Sequence, residues 1–175
     1  MNAVFEPRES GLARLRLALE AEGGLLAVAL VEEIESPVFD GLAIVAPCSS
    51  AAPVAYAEAL EGVLEGYLLH YRSSRLLRSK DRDLCLLAGD FCYSHGLERL
   101  TSIGDRRAVG ELANLIASVV AIEVDEVGHR AVCELWRGAV VAVLCGDGAG
   151  GDGLIEQRKA TERALDGALG SSSAL

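Results

Sequence analysis

Residues 84–105 read LCLLAGDFCYSHGLERLTSIGD, and this stretch decides the predicted fold. On a helical wheel, its apolar residues and one histidine fall on two opposite sides. One side carries Leu84, Leu87, Ala88, Phe91 and His95, and the other carries Leu86, Tyr93, Leu97 and Leu100. A helix that is apolar on two faces belongs in the middle of a bundle. We therefore expect Asp90, on the second side, to be largely buried and hydrogen-bonded.

A second long helix is predicted from residue 107 to about residue 129. Asp105 precedes its first turn and is a suitable N-cap residue. Its apolar side chains recur at helical spacing, at Val109, Leu112, Leu115, Ile116, Val119, Val120 and Ile122. Two apolar helices in succession indicate an all-α helical bundle.

The rest of the chain also favours helices, so we predict a single all-helical domain over residues 1–175. Further helices are predicted at 10–22, 54–77, 134–145 and 154–169, the last after a glycine-rich linker at 145–153. Gly23 and Gly24 end the first of these helices, and Pro53 starts the second. The short apolar runs at 25–35 and 42–46 fit either a helix or a buried strand. The charged run at 72–83 is typical of solvated surface, although the sequence leaves this interpretation open.

Composition narrows the class of protein. With 51% hydrophobic residues, the chain can bury a core without disulfides. Its five cysteines are scattered in apolar runs without Cys-x-x-Cys spacing, which favours reduced thiols in a cytoplasmic protein. A net charge of −10 argues against a nucleic-acid partner. No apolar run approaches the roughly 20 residues of a membrane span, and the start of the chain lacks a basic signal region.

Residues 89–105, GDFCYSHGLERLTSIGD, resemble a helix of the trans-type (polyprenyl) prenyl diphosphate synthase family. In that family this helix begins and ends with Gly-Asp, and the next helix ends in an acidic patch, near which Glu123 lies. Over the rest of the chain, only the register of the predicted helices matches that of the family. It implies an all-α bundle of the isoprenoid-synthase type.

The resemblance also shows what this sequence lacks. Members of the family bind a diphosphate through Mg²⁺ ions held by two DDxxD motifs on facing helices. At the position of the first motif, after His70, this sequence has Tyr71 and Arg72. The second motif would lie beyond Cys145. The family's diphosphate-binding loop is missing as well, and three nearby arginines do not map onto it residue by residue: Arg75, Arg78 and Arg82.

The resemblance therefore implies a truncated bundle that acts as the small, non-catalytic subunit of a heterodimeric or heterotetrameric prenyl diphosphate synthase. The catalytic partner would carry both Asp motifs and Mg²⁺, whereas no cofactor and no catalysis are expected of this chain alone. The small subunit would pack against the large one and help to set product chain length in isoprenoid biosynthesis. Candidate interface or tunnel residues are Phe91, His95, Leu97 and Trp136. His95 is also interpreted as a satisfied core or interface histidine, and Trp136 as a packing or interface anchor.

Two alternatives remain open at this point. One is a degenerate homodimeric family member that binds an isoprenoid or diphosphate without turnover. The other is a helical metal-carboxylate protein, because Glu126 and His129 form a Glu-x-x-His pattern and Glu123 precedes them by one turn. Such dimetal sites need a second Glu-x-x-His motif, which a single chain of this sequence does not supply.

Overall fold

The computed structural model describes residues 10–33, 35–46, 48–124 and 129–146 of the chain. In these ranges it contains helices and no β-strand, so this part of the chain is all-α, as predicted. The glycine-rich linker beyond Gly146 and the predicted helix at 154–169 lie outside the described residues. The helices are α1 (Gly11–Glu22), α2 (Gly24–Ala29), α3 (Asp40–Val45), α4 (Pro53–Tyr71), α5 (Arg82–Ser102), α6 (Arg106–Val124) and α7 (His129–Cys145).

Capping residues set several boundaries where the sequence predicts them. The side chain of Ser10 accepts a hydrogen bond from the Ala13 amide at the start of α1, and Gly23 ends that helix with a φ of 71°. Asp105 precedes α6, and its Oδ1 accepts a hydrogen bond of 2.9 Å from the Ala108 amide. The N-cap predicted for this helix is therefore confirmed.

Helix α4 is shorter than predicted. It begins at Pro53, as expected, but ends at Tyr71 rather than near residue 77. The hydroxyl oxygen of Ser74 accepts hydrogen bonds from the backbone amides of Leu76 and Leu77. A side chain that bonds the local backbone in this way offers it an alternative to helical hydrogen bonds, which is why the chain leaves the helix here.

The short apolar runs at 25–35 and 42–46 fit either a helix or a strand by their periodicity. In the structure they contribute to the short helices α2 and α3. After α2 the chain is extended, and Leu30 pairs with Leu77 in an isolated antiparallel bridge. The helix predicted over 107–129 ends at Val124 as α6, and α7 begins at His129.

The centre of the described bundle is α4 rather than α5. Every residue from Ala55 to Leu69 is buried, and α4 packs against α1, α3, α5 and α6. The expectation that residues 84–105 form the middle of the bundle is therefore wrong. Helix α5 does bury parts of both apolar sides, because Leu97 packs against the main core of α3, α4, α6 and α7, whereas Phe91 packs against a smaller core beside α1. Its outer edge reaches solvent at Leu87.

Glycines allow α4 and α5 to approach each other closely. A Cβ atom at Gly96 would lie 2.7 Å from the carbonyl oxygen of Ala59, and one at Gly62 would lie 3.0 Å from the carbonyl oxygen of Cys92. Both contacts are to backbone atoms of the facing helix, which a side-chain rotation cannot relieve. The two backbones therefore pack against each other directly.

The substitution Gly96→Ala is expected to lower the free energy of unfolding by about 1–3 kcal/mol, because the added methyl group overpacks this contact. The matched substitution Gly110→Ala on α6 has no atom within 4 Å of the new Cβ, so it is expected to stabilise the protein by about 0.5–1 kcal/mol. Urea unfolding of both variants measures the two shifts. A shift of the same sign in both would contradict the close approach of α4 and α5.

Candidate functional site

Three buried glutamates lie along one side of α4. Glu58, Glu61 and Glu65 are spaced by three and four residues and are 3%, 0% and 0% exposed. Buried carboxylates need charged or hydrogen-bonding partners, and each of the three has them. None of the residues predicted for a site belongs to this row. The sequence signal for it is the presence of three acids on a helix that has no other polar face.

Glu58 joins α4 to α1 and α5. Its Oε2 lies 3.0 Å from Nε of Arg14 and 3.2 Å from Nε of Arg99, and its Oε1 lies 2.8 Å from Nε2 of His95. Burial alone would raise the pKa of the Glu58 carboxyl, but the hydrogen bonds from His95 and Arg14 and the charge of Arg99 outweigh it and lower the pKa. The carboxylate is therefore ionised and clamps three helices together.

Glu61 and Glu65 share one arginine, Arg75. Its Nη2 donates to Oε2 of Glu61 over 2.9 Å, and its Nε donates to Oε2 of Glu65 over 3.0 Å. Burial alone would lower the pKa of the Arg75 guanidinium, but the two carboxylates outweigh it and raise the pKa. Glu61 also accepts a hydrogen bond from the backbone amide of Phe39, and Glu65 accepts one from the Ser74 hydroxyl. This cluster anchors the segment between α4 and α5.

The interpretation of the charged run at 72–83 as solvated surface is therefore wrong for Arg75, which is 4% exposed. Much of this run, Arg75 included, borders a cleft of about 890 Å³ between the end of α4 and the start of α5. The cleft is lined by five basic side chains, those of Arg72, Arg75, Arg78, Lys80 and Arg82.

A fourth buried carboxylate, that of Asp40, lies near this row at the start of α3. Its Oδ1 accepts a hydrogen bond of 2.8 Å from the Gly11 amide, whereas its buried Oδ2 has no hydrogen-bond partner among the described residues. Burial raises the pKa of the Asp40 carboxyl to about 6, against the opposing effect of the Gly11 hydrogen bond and with a further increase from the charge of Glu61. At neutral pH this carboxylate carries an incompletely compensated charge.

Because the pKa of Asp40 is raised on folding, its contribution to stability is present below about pH 4 and is lost as the pH rises through about 6. In the variant Asp40→Asn, the side chain at this position is neutral at every pH. We therefore compare the melting temperature of Asp40→Asn with that of the unmodified protein at each pH. The difference, variant minus unmodified, is expected to be more positive at about pH 7.5 than at about pH 4.5. The exposed Asp83→Asn variant is the control. If the difference in melting temperature between Asp40→Asn and the unmodified protein does not change with pH, the raised pKa of Asp40 is contradicted.

Asp90 does not occupy the buried position that the sequence predicts. Its side chain is 71% exposed, and its Oδ1 lies 3.2 Å from Nε2 of His70 without the geometry of a hydrogen bond. The prediction of a structural buried carboxylate at Asp90 is wrong because this position lies on the outer edge of α5, between its two apolar sides. The neighbouring Gly89 makes room for the His70 ring, since a Cβ atom there would lie 2.4 Å from it.

The other predicted residues of α5 are half-buried. The ring of His95 stacks on that of Phe91 at a centroid distance of 5.7 Å, and His95 bonds to Glu58, so the interpretation of a satisfied histidine is confirmed. Leu97 lies on the opposite side, against the main core. The structure therefore does not join Phe91 and Leu97 in one surface, and their role in an interface or a tunnel stays a prediction.

Trp136 lies in the main core with 1% of its surface exposed. Its ring centroid is 6.3 Å from that of Phe39, in a stacked arrangement, and 6.3 Å from that of Tyr67, edge to face. The interpretation of Trp136 as a packing anchor is confirmed. In this conformation it does not reach an outer surface at which a partner would dock.

Glu123 is hydrogen-bonded to side chains of α4 and of Arg72, the residue that follows α4. It accepts hydrogen bonds of 2.8 Å from the Tyr67 hydroxyl and 2.7 Å from Nη2 of Arg72. Glu126 and the side chain of His129 lie outside the described residues, so the Glu-x-x-His alternative stays a prediction. Among the described residues, no three histidine, cysteine, aspartate or glutamate side chains come together as a metal site. The carboxylates of the α4 row are bound instead to arginine, histidine, hydroxyl and amide donors.

Comparison of this chain with protein-family models, with curated proteins and with solved structures finds no match. None of the described helices is both long and apolar enough to cross a bilayer. Compensated glutamates hold α4, α5 and their connection in place, and that connection presents basic side chains to a cleft.

Proposed function

We propose that this chain is the non-catalytic subunit of a heteromeric trans-prenyl diphosphate synthase and docks on a catalytic subunit that carries the DDxxD motifs. The observation that supports the proposal is a long, exposed and uncharged surface on α6. This surface, the α6 outer face, consists of Gly110, Ala113, Asn114, Ala117, Val120, Ala121 and Val124, all exposed.

An exposed helix face of a soluble protein normally carries charged side chains, because these are solvated and keep the surface from associating. The α6 outer face has none over four turns, and Val124 at its end is 73% exposed. Protein interfaces are depleted of charge in the same way. Small residues such as Ala113 and Ala117 let a partner helix approach closely, which favours a helical partner.

The resemblance of residues 89–105 to prenyl diphosphate synthases favours one kind of helical partner. The α6 outer face belongs to the helix that follows that segment, and the catalytic subunits are helical bundles. In the proposed complex, the partner's Asp motifs hold Mg²⁺ and the diphosphate. This chain contributes a packing surface and helps to limit the length of the product.

Arginine substitutions on the α6 outer face test the proposed docking. Ala113→Arg/Ala117→Arg is expected to abolish co-elution with the DDxxD-bearing synthase of the same organism, because two guanidinium groups would be buried without partners. Both positions are exposed in this chain, so its melting temperature is expected to stay unchanged. The control Ala21→Arg/Glu22→Arg lies on the exposed end of α1 and is expected to co-elute normally.

Two outcomes would overturn the proposal. If the unmodified chain does not co-elute with the synthase, the partner is wrong. If the unmodified chain instead forms a dimer that Ala113→Arg/Ala117→Arg disrupts, the α6 outer face joins two copies of this chain, and the homodimeric alternative replaces the proposed subunit.

A further inference from the structure

The cleft between α4 and α5 has an unusual charge for this protein. The chain carries a net charge of −10, yet five basic side chains and one acid, that of Glu35, line this cleft among the described residues. At about 890 Å³, the cleft is of the size that small-molecule ligands occupy.

Two of the five basic side chains are neutralised by acids. Arg75 is paired with Glu61 and Glu65, and Arg72 is paired with Glu123. The other three, Arg78, Lys80 and Arg82, have no acidic partner among the described residues. The cleft therefore keeps an excess of positive charge after its internal ion pairs are counted.

Hydrogen bonds, several of them buried, fix two of the arginines in the wall of the cleft. The backbone amide and Nε of Arg75 donate to Glu65, and its Nη2 donates to Glu61, yet its buried Nη1 has no hydrogen-bond partner in the described part of the chain. The guanidinium of Arg82 donates to the backbone oxygens of Leu69 and His70 at the end of α4. Because that atom is itself buried, the charges that a ligand in the cleft reaches directly are those of the exposed Arg78, Lys80 and Arg82.

We infer that this cleft binds the phosphate group of a phosphate-bearing ligand. Arginine, lysine and serine are the side chains that recognise phosphate oxygens, and the cleft also contains Ser73 and Ser79. Its volume exceeds that of a phosphate group, so the cleft has room for the rest of a larger ligand. The inference does not depend on the proposed subunit function, because the cleft and the α6 outer face lie on different helices.

Two sources carry this chemistry, a free phosphate compound and the headgroup of an anionic lipid. The backbone amide of Arg78 donates to the carbonyl oxygen of Ala29, the last residue of α2, over 2.9 Å. Helix α2 contains no charged residue, and it exposes Leu25 by 70% and Val28 by 83%. The site therefore has an apolar surface next to it, as a lipid would require.

The experiment measures binding of inorganic diphosphate by calorimetry and binding to vesicles of phosphatidylcholine with or without phosphatidic acid by co-sedimentation. The test variant is Arg78→Gln/Lys80→Gln, which changes two exposed side chains without an ion-pair partner among the described residues. The control, Arg106→Gln/Arg130→Gln, removes the same charge from exposed positions on α6 and α7.

We expect the test variant to weaken binding by about tenfold or more, and the control to change it by less than about twofold. Binding of diphosphate identifies a free ligand, and binding only to vesicles with phosphatidic acid identifies a headgroup. Two results would overturn the inference. One is no binding to either probe, and the other is an equal loss in both variants, which would show a general effect of net charge.

Discussion

Replacement of Arg75 by methionine is expected to lower the free energy of unfolding by about 3–5 kcal/mol. Glu61 and Glu65 are fully buried, and the Arg75 guanidinium is the cation that bonds to both of them. Without it, two carboxylates would remain in the interior without a compensating charge. Because the cluster also holds the connection between α4 and α5, we expect this segment to become susceptible to proteolysis. Urea unfolding and limited trypsin digestion measure the two effects.

The matched control is Arg72→Met, three residues earlier in the chain. Arg72 pairs with Glu123 but is itself exposed to solvent. Exposed ion pairs contribute little, so this variant is expected to lose at most about 1 kcal/mol. Similar losses for Arg72→Met and Arg75→Met would show that the buried cluster does not stabilise the fold.

Trp136→Ala is expected to lower the free energy of unfolding by about 3–5 kcal/mol, because it leaves a cavity in the main core. The indole packs between Phe39 and Tyr67 and so joins α7 to α4 and to the residue before α3. Because Trp136 is the only tryptophan of the chain, the substitution also removes a near-ultraviolet chromophore. Thermal unfolding followed by far-ultraviolet circular dichroism therefore measures the loss of stability.

Trp136→Phe separates packing from hydrogen bonding. The indole Nε1 has no hydrogen-bond partner among the described residues, so phenylalanine removes volume and no hydrogen bond. We expect a loss of less than about 1.5 kcal/mol. A loss as large as that of Trp136→Ala would show that the indole N–H group makes a bond that matters.

The helices were predictable where local signals agree. The helical spacing of α1, the glycines that end it and the aspartate before α6 all act within one or two turns of the chain, and each prediction from them is confirmed. The central position of α4 was not predictable in this way. Burial depends on which helices pack around a segment, and helical spacing within that segment does not reveal this.

The charged residues were the least predictable part of the candidate site. The helical wheel predicts a buried Asp90 because this residue lies close to an apolar side of α5, yet its side chain is 71% exposed in the structure. The charged sequence around Arg75 is typical of solvated surface. The burial of Arg75 depends on Glu61 and Glu65, which precede it by 14 and 10 residues. A pairing between a helix and the following loop leaves no periodic pattern in the sequence.

The most direct test of the proposed function is an assay of prenyl transfer from farnesyl diphosphate to isopentenyl diphosphate with Mg²⁺. It compares this protein alone, the DDxxD-bearing synthase of the same organism alone, and a mixture of the two. The proposed function predicts that long-chain product forms only in the mixture, and that Ala113→Arg/Ala117→Arg abolishes it. Product formed by this chain alone, or a mixture no different from the synthase alone, would contradict the proposed function.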